Sequence, residues 1–243
     1  MEKLNVLKQC TINGNIVKLP AEQLDRKLYQ DVAKSLEGIG GKWNKKQGGF
    51  LFDNDPTELL AEISGGVKRN IKKEFQAFFT PEDIADWMAQ NLFVEPNDSI
   101  LEPNGGGGAL IKAVRKEGHA NKIHTCELNP IYSDELKKMQ DVIFLGADFL
   151  AIDRTMRFNK IIANPPFNKN QDIDHIYKMW DLLEPKGRIV TVCSNHWTFA
   201  NGKKEKTFRE WVEEVEGVTY PLDSGKFKSS GTMVSSQILV IDK

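Results

Sequence analysis

The sequence predicts an α/β protein: a doubly wound sheet of about seven strands, preceded by a small α+β unit. Two observations carry this. From about residue 74, strand-like and helix-like segments alternate, the pattern of a sheet covered by helices. The first 66 residues instead hold short strands and tight-turn residues around two helical stretches. A length of 243 residues, 40% hydrophobic and 28% charged, suits one ordinary domain with a small companion. It excludes a disordered tail, a collagen-like repeat and a coiled coil.

The elements follow in order. Thr11–Val17 sets Asn13-Gly14 between β-prone residues, a hairpin signal. Pro20 opens a helical stretch with Leu24, Leu28, Val32 and Leu36 on a 3.6-residue period, which stops at Gly38. Short strands are expected around Trp43 and across Phe50-Leu51-Phe52. Asp55-Pro56-Thr57-Glu58 reads as a helix start, and Ser64-Gly65-Gly66 as its end. The basic run Lys68–Lys73 reads as a linker. The expected division is therefore a module over 1–66, a linker over 67–74 and a main domain over 75–243.

In the main domain, Thr80-Pro81-Glu82-Asp83 is expected to cap a helix bearing Ile84, Trp87 and Met88. Strands are expected at Ser99–Glu102, Lys122–Glu127, Val142–Phe144, Lys160–Ala163, Arg188–Cys193, Gly217–Pro221 and Gln237–Ile241. Helices are expected at about 109–117, 130–139, 172–183 and 205–215, and the segment 150–158 fits neither pattern.

No apolar run approaches the roughly 18 residues needed to span a bilayer, and the N-terminus has no apolar signal core, so the expected location is the cytoplasm without a membrane partner. Cys10, Cys126 and Cys193 lack metal-ligand spacing and read as buried reduced thiols. The net charge of −1 conceals an asymmetry: residues 1–73 carry 13 Lys and Arg against 9 Asp and Glu, and the rest carry 20 against 25. Contact with nucleic acid would therefore use local basic patches: Lys42, Lys45, Lys46, the Lys68–Lys73 run, and Lys203, Lys204, Lys206, Lys226 and Lys228.

Three segments carry chemistry. Glu102-Pro103-Asn104-Gly105-Gly106-Gly107-Gly108 joins the first main-domain strand to a helix, at the carboxyl end where such sheets bind ligands. Glu127 ends the second strand, suited to ribose hydroxyls. Asp148-Phe149 ends the third, suited to an adenine amino group and an adenine face. Asn164-Pro165-Pro166-Phe167 ends the fourth, where an amide oxygen and a carbonyl can face a planar amine beside an aromatic ring.

Through these residues the chain resembles the amino-group DNA methyltransferases of the adenine type, over residues 75–241. The order is Phe79-Thr80-Pro81, Glu102–Gly108, Glu127, Asp148, then Asn164–Phe167, that of the gamma-type enzymes. The resemblance implies the class I methyltransferase (Rossmann-like) fold, S-adenosylmethionine as cofactor, no metal, and DNA as partner, with RNA as a further candidate. Phe79, Thr80 and Pro81 would flank the methionine end of the cofactor. Glu102, Pro103, Asn104, Gly106 and Gly108 would line its floor, Glu127 and Leu128 its ribose, and Asp148 and Phe149 its adenine. Asn164, Pro165, Pro166 and Phe167 would form the catalytic segment holding a flipped base, with Asn164 also beside the cofactor. Residues 1–66 are similar to small modules of phage and mobile-element methylases.

Two departures are visible. Phe167 stands where many relatives carry Tyr, and the glycine-rich loop implies a looser cofactor site. The rival readings are an RNA adenine methyltransferase, a protein glutamine methyltransferase, and a catalytically silent binding protein on the same fold. The oligomeric state stays open. His119, His124, His175 and His196 have no ligand spacing and read as surface or satisfied core residues; Trp197, after the fifth strand, is a candidate substrate contact.

Overall fold

The structure is a computed structural model and describes residues 2–52, 55–67, 80–223 and 235–243. The chain forms two compact units, Met1–Gln76 and Ala77–Lys243. In the first, α1 (Glu2–Gln9), α2 (Arg26–Gly38) and α3 (Thr57–Ser64) accompany a four-stranded antiparallel sheet in the order β1-β2-β4-β3. Its strands are β1 (Thr11–Asn13), β2 (Ile16–Lys18), β3 (Lys42–Asn44) and β4 (Gly49–Leu51). The expected hairpin forms with Asn13 opposite Ile16 and Gly14 at φ +59° in the turn. Its core joins Val6, Leu7, Val17, Val32, Leu36, Phe50 and Ile63.

Two expectations for this unit change. The helix expected from Pro20 begins at Arg26, because the Asp25 carboxylate accepts from the N–H groups of Lys27 (2.9 Å) and Leu28 (3.0 Å) and starts it there. Leu24 precedes the helix. The sequence pattern shows no element at residues 2–9, where α1 buries Val6 and Leu7; eight residues give too short a pattern to register.

The second unit is a seven-stranded sheet in the order β10-β11-β9-β8-β5-β6-β7. Its strands are β5 (Ile100–Glu102), β6 (Ile123–Cys126), β7 (Val142–Gly146), β8 (Phe158–Ala163), β9 (Leu183–Ser194), β10 (Val218–Pro221) and β11 (Ser236–Asp242). The first five run parallel, and β11 lies antiparallel between β9 and β10. Helices α4 (Glu82–Asn91), α5 (Ala109–Lys116), α6 (Pro130–Lys138), α7 (Gln171–Leu182) and α8 (Lys203–Glu214) complete it. The ambiguous segment after β7 holds only a 3-10 turn at Phe149–Ala151.

Alternation along each strand divides the core into two layers. Ile100, Ile162, Val190, Val192, Ile238 and Val240 meet α4, α5 and α6 through Met88, Leu110, Val114 and Leu136. Leu101, Ile161, Ile189, Leu239 and Ile241 meet α7 and α8 through Ile173, Ile176, Met179, Phe208 and Val212. With both faces covered, the central strands read as nearly continuous apolar runs, which is why they are visible in the sequence. None of the described helices is long and apolar enough to cross a membrane.

Candidate active site

The candidate residues converge on the carboxyl ends of the parallel strands. After β5, residues 103–108 turn the chain into α5, and glycine is required there for two different reasons. A Cβ on Gly105 would lie 2.5 Å from Leu136 Cδ1 and 2.6 Å from Thr125 Oγ1. Gly106 instead has open surroundings, with only the Asn104 carbonyl oxygen near (3.8 Å), but sits at φ +48°. Hydrogen bonds tie this loop down. Gly105 N–H donates to the Cys126 carbonyl (2.9 Å), Gly108 N–H to that of Gly105 (2.8 Å), and Gly106 N–H to Glu127 Oε2 (2.7 Å).

The acids at the strand ends do unlike work. Glu102 is 1% exposed; its Oε1 accepts from Asn104 N–H (3.0 Å) and its Oε2 from Thr125 Oγ1 at 3.5 Å, so it braces the loop after β5 from beneath. Burial holds its pKa well above the usual range, and the Glu127 charge adds to the effect. Glu127 takes one backbone N–H on each oxygen, from Gly106 and from Asn129 (2.6 Å), and burial raises its pKa too. A carboxylate has about four lone-pair sites, so two remain for a ligand's hydroxyls. Leu128 beside it is 58% exposed. Asp148 is exposed, with Oδ1 accepting from Leu150 N–H (2.8 Å). Phe149 is not the exposed aromatic face expected: it is 2% exposed, in the core against His175 (ring centroids 5.3 Å).

At the end of β8, Asn164 is half-buried and Pro165 buried, while Pro166 and Phe167 are half-buried, Phe167 resting on the α4–α5 layer. The Asn164 Nδ2 donates to Thr80 Oγ1 at 3.1 Å. This corrects the expected helix cap: α4 begins after Pro81 without a side-chain cap, and the buried Thr80 hydroxyl serves Asn164 instead. Phe79 lies outside the described residues, as do Lys68–Lys73, Lys226 and Lys228. Beyond Phe167 the turn is strained, with Lys169 at φ +55° and Asn170 at φ +57°. Asn170 is clamped: its Nδ2 donates to Glu205 Oε1 (2.6 Å), and its carbonyl accepts from Lys204 Nζ (2.8 Å). Lys204 also pairs with Asp174 at 2.7 Å. Trp197 is corrected as well. It is 4% exposed and packs edge-on against Phe208 (5.0 Å), whereas Phe199, two residues on, is 65% exposed.

Three buried polar residues on α7 bond to segments that follow or end the strands, and the sequence pattern does not single them out. Asp172 Oδ2 accepts from both Ser194 N–H (2.9 Å) and Ser194 Oγ (2.8 Å). His175 Nδ1 meets Asn104 Oδ1 at 3.2 Å, and burial pushes its pKa down to about 4, so the neutral ring donates from Nδ1. Lys178 Nζ donates to the carbonyls of Leu150 and Ile152, both at 2.8 Å, and burial lowers its pKa. Their i, i+3, i+6 spacing does not distinguish them, because a solvated helix face has the same spacing.

Counted inward from β7, the strand order places β6 and β5 before β8 and β9, with the antiparallel β11 between β9 and the edge strand β10. A structure of a protein from Listeria monocytogenes, described as a class I S-adenosylmethionine-dependent methyltransferase, superposes with a TM-score of 0.56 at 14% identity, covering 100% of this chain and 78% of that one. The fold is that of a class I methyltransferase. No family model matches the chain. The type II methyltransferase M.CvrRI of Paramecium bursaria Chlorella virus XZ-6E is 33% identical over 117 residues, 48% of this chain and 30% of that protein. The probable ribosomal RNA small subunit methyltransferase A of Methanococcus maripaludis is 29% identical over 110 residues, 43% of this chain and 40% of that protein. The chain thus spans well under half the length of these curated relatives.

Proposed function

We propose that the chain transfers the methyl group of S-adenosylmethionine to the exocyclic amine of adenine in DNA. The observation that carries this reading is the Asn164 amide at the end of β8, with its nitrogen turned to Thr80 and a rigid Pro165–Pro166–Phe167 segment behind it. The cofactor fits the residues present. Gly106 leaves its backbone open to close approach, Glu127 and Asp148 on adjacent strand ends supply acceptors for hydroxyl and amino groups, and Leu128 offers apolar contact. S-adenosylmethionine supplies an electrophilic methyl group on a sulfonium.

In this reading the protein's part is alignment and fixed dipoles. The adenine amine is a weak nucleophile because its lone pair is delocalised into the ring. Acceptors from Asn164 Oδ1 and the Pro165 carbonyl favour a pyramidal nitrogen and aim that lone pair. Asn164 is no base, so the amine's proton leaves to water after transfer. Extruding the base from a duplex costs a few kcal/mol, and stacking on Phe167 returns roughly 1–3 kcal/mol.

We read residues 1–66 as a module that grips the phosphate backbone, joined by a linker over 67–74 to the methyltransferase domain over 75–243. Segments 11–18 and 42–52, which form its sheet, carry Lys18, Lys42, Lys45 and Lys46 and no acid, and Trp43 is 49% exposed. RNA adenine is the second reading, favoured by the ribosomal RNA methyltransferase relative; the type II relative favours DNA. Tritiated cofactor offered to duplex DNA, single-stranded DNA, RNA and protein tests both, with nucleoside analysis of the product. N6-methyladenine in DNA is expected. Label in RNA alone would select the second reading, and label in protein or in nothing would refute both.

A further inference from the structure

The buried polar edge of α7 spans the site in strand order. Asp172 (0% exposed) holds Ser194 at the end of β9 through both its N–H and its hydroxyl. One turn on, His175 (5% exposed) holds the Asn104 side chain in the loop after β5. Another turn on, Lys178 (3% exposed) holds the carbonyls of Leu150 and Ile152 in the turn after β7. In the sheet these strands stand in the order β9-β8-β5-β6-β7, so the three contacts fall on alternate strands and advance from one side of the site to the other. Residues three apart lie on one helix face, and the alternate-strand spacing of about 10 Å is bridged by side-chain reach added to the helix rise.

Core packing does not require these residue types. Ile173, Ile176, Met179 and Leu182 already bury the apolar face of α7, and lysine is among the side chains least often buried. Each polar group bonds to a segment at the carboxyl end of one of the parallel strands, where the candidate site lies. The Lys178 contacts lie two and four residues beyond Asp148; the His175 contact lies two residues before Gly106. We infer that His175 and Lys178 are positioning residues that set the cofactor loops after β5 and β7, and thereby cofactor affinity, while Asp172 sets the end of β9 beside the Asn164 segment, and thereby turnover. The inference rests on the proposed methyltransferase reading. It goes beyond that reading by assigning roles to three residues that touch neither cofactor nor base.

Calorimetric Kd for S-adenosylmethionine and for adenosine, with kcat at saturating cofactor and a melting curve, tests the inference on the full chain. His175→Leu and Lys178→Met should each raise both Kd values at least tenfold, with a smaller fractional loss in kcat. His175→Asn, whose amide nitrogen stands near the Nδ1 position, should recover most of the lost affinity. Asp172→Asn should lower kcat at least tenfold and change either Kd less than threefold. If Lys178→Met fails to fold, Lys178→Gln, which keeps an N–H donor, should give an intermediate loss. Wild-type Kd values in folded His175→Leu and Lys178 variants would overturn the inference while leaving the proposed function standing. A wild-type chain that binds neither probe would overturn the proposed function itself, and the inference with it.

Discussion

Adding one methyl group to the loop after β5 should act through different causes at adjacent residues. At Gly105 a Cβ would stand 2.5 Å from Leu136 Cδ1 and 2.6 Å from Thr125 Oγ1, both fully buried, and 3.2 Å from Glu102 Oε2. None of these can withdraw without disturbing the core or the Glu102 contacts, so Gly105→Ala is expected to cost about 1–3 kcal/mol by overpacking. At roughly 2–4 °C per kcal/mol for a chain of this size, the melting temperature should fall by about 2–12 °C. At Gly106 the added Cβ meets nothing closer than 3.8 Å, and the cost is that of an L residue at φ +48°, about 1–2 kcal/mol. Yet that open side is where a ligand would approach the backbone, so Gly106→Ala should weaken S-adenosylmethionine at least tenfold. Gly105→Ala should weaken it chiefly by shifting the Gly106 N–H away from Glu127. Differential scanning fluorimetry beside calorimetry separates the two effects. A Gly105→Ala protein that melts like wild type would refute the packing argument, and a Gly106→Ala protein with undiminished affinity would refute the placing of the ligand.

Further outcomes are expected. Asn164→Ala should lower turnover by a hundredfold or more, about 3 kcal/mol, while cofactor affinity stays nearly unchanged; methylation of a defined DNA beside calorimetry checks it, and normal turnover would make the Asn164–Phe167 segment purely structural. Phe167→Ala should raise KM for DNA, whereas Phe167→Tyr should be mild. Because His175 has a pKa of about 4 when folded and near 6.5 when unfolded, the unfolded chain binds the extra proton between those values. Its contribution to stability is therefore present above about pH 6.5 and is lost as pH falls toward 4, at about 1.4 kcal/mol per pH unit. Denaturant titrations of wild type against His175→Asn isolate this term from the buried acids Glu102, Glu127 and Asp172, whose raised pKa values give the opposite slope. A pH-independent difference would contradict the assignment. Lys45→Ala with Lys46→Ala should weaken DNA binding and flatten its dependence on log salt by about one to two; an unchanged slope would remove the first unit's sheet from the interface.

Much of the second unit is legible in the amino-acid sequence, for a physical reason. Strands covered on both faces are apolar along most of their length, so β5, β8, β9 and β11 announce themselves through Ile100-Leu101, Ile161-Ile162, Ile189-Val190 and Ile238–Ile241, whereas β6 carries one aliphatic residue, Ile123, before His124 and Thr125. Candidate positions at the ends of parallel strands can then be counted off, which is how Glu102, Glu127, Asp148 and Asn164 are reached one strand at a time. The order of elements and the residue types standing at each strand end thus follow from the chain's own pattern. Pairings between residues distant along the chain do not. Thr80 and Asn164 are 84 residues apart, His175 and Asn104 are 71 apart, and neither pair has a local pattern. Burial is likewise set by the three-dimensional packing. Phe149 and Trp197 are core while Phe199 is exposed, and Lys178 is enclosed while Lys203 is exposed. A side chain's type fixes what it can bond to, but its exposure depends on which helix crosses above it. In this chain α7 encloses Phe149 through His175, and α8 encloses Trp197 through Phe208.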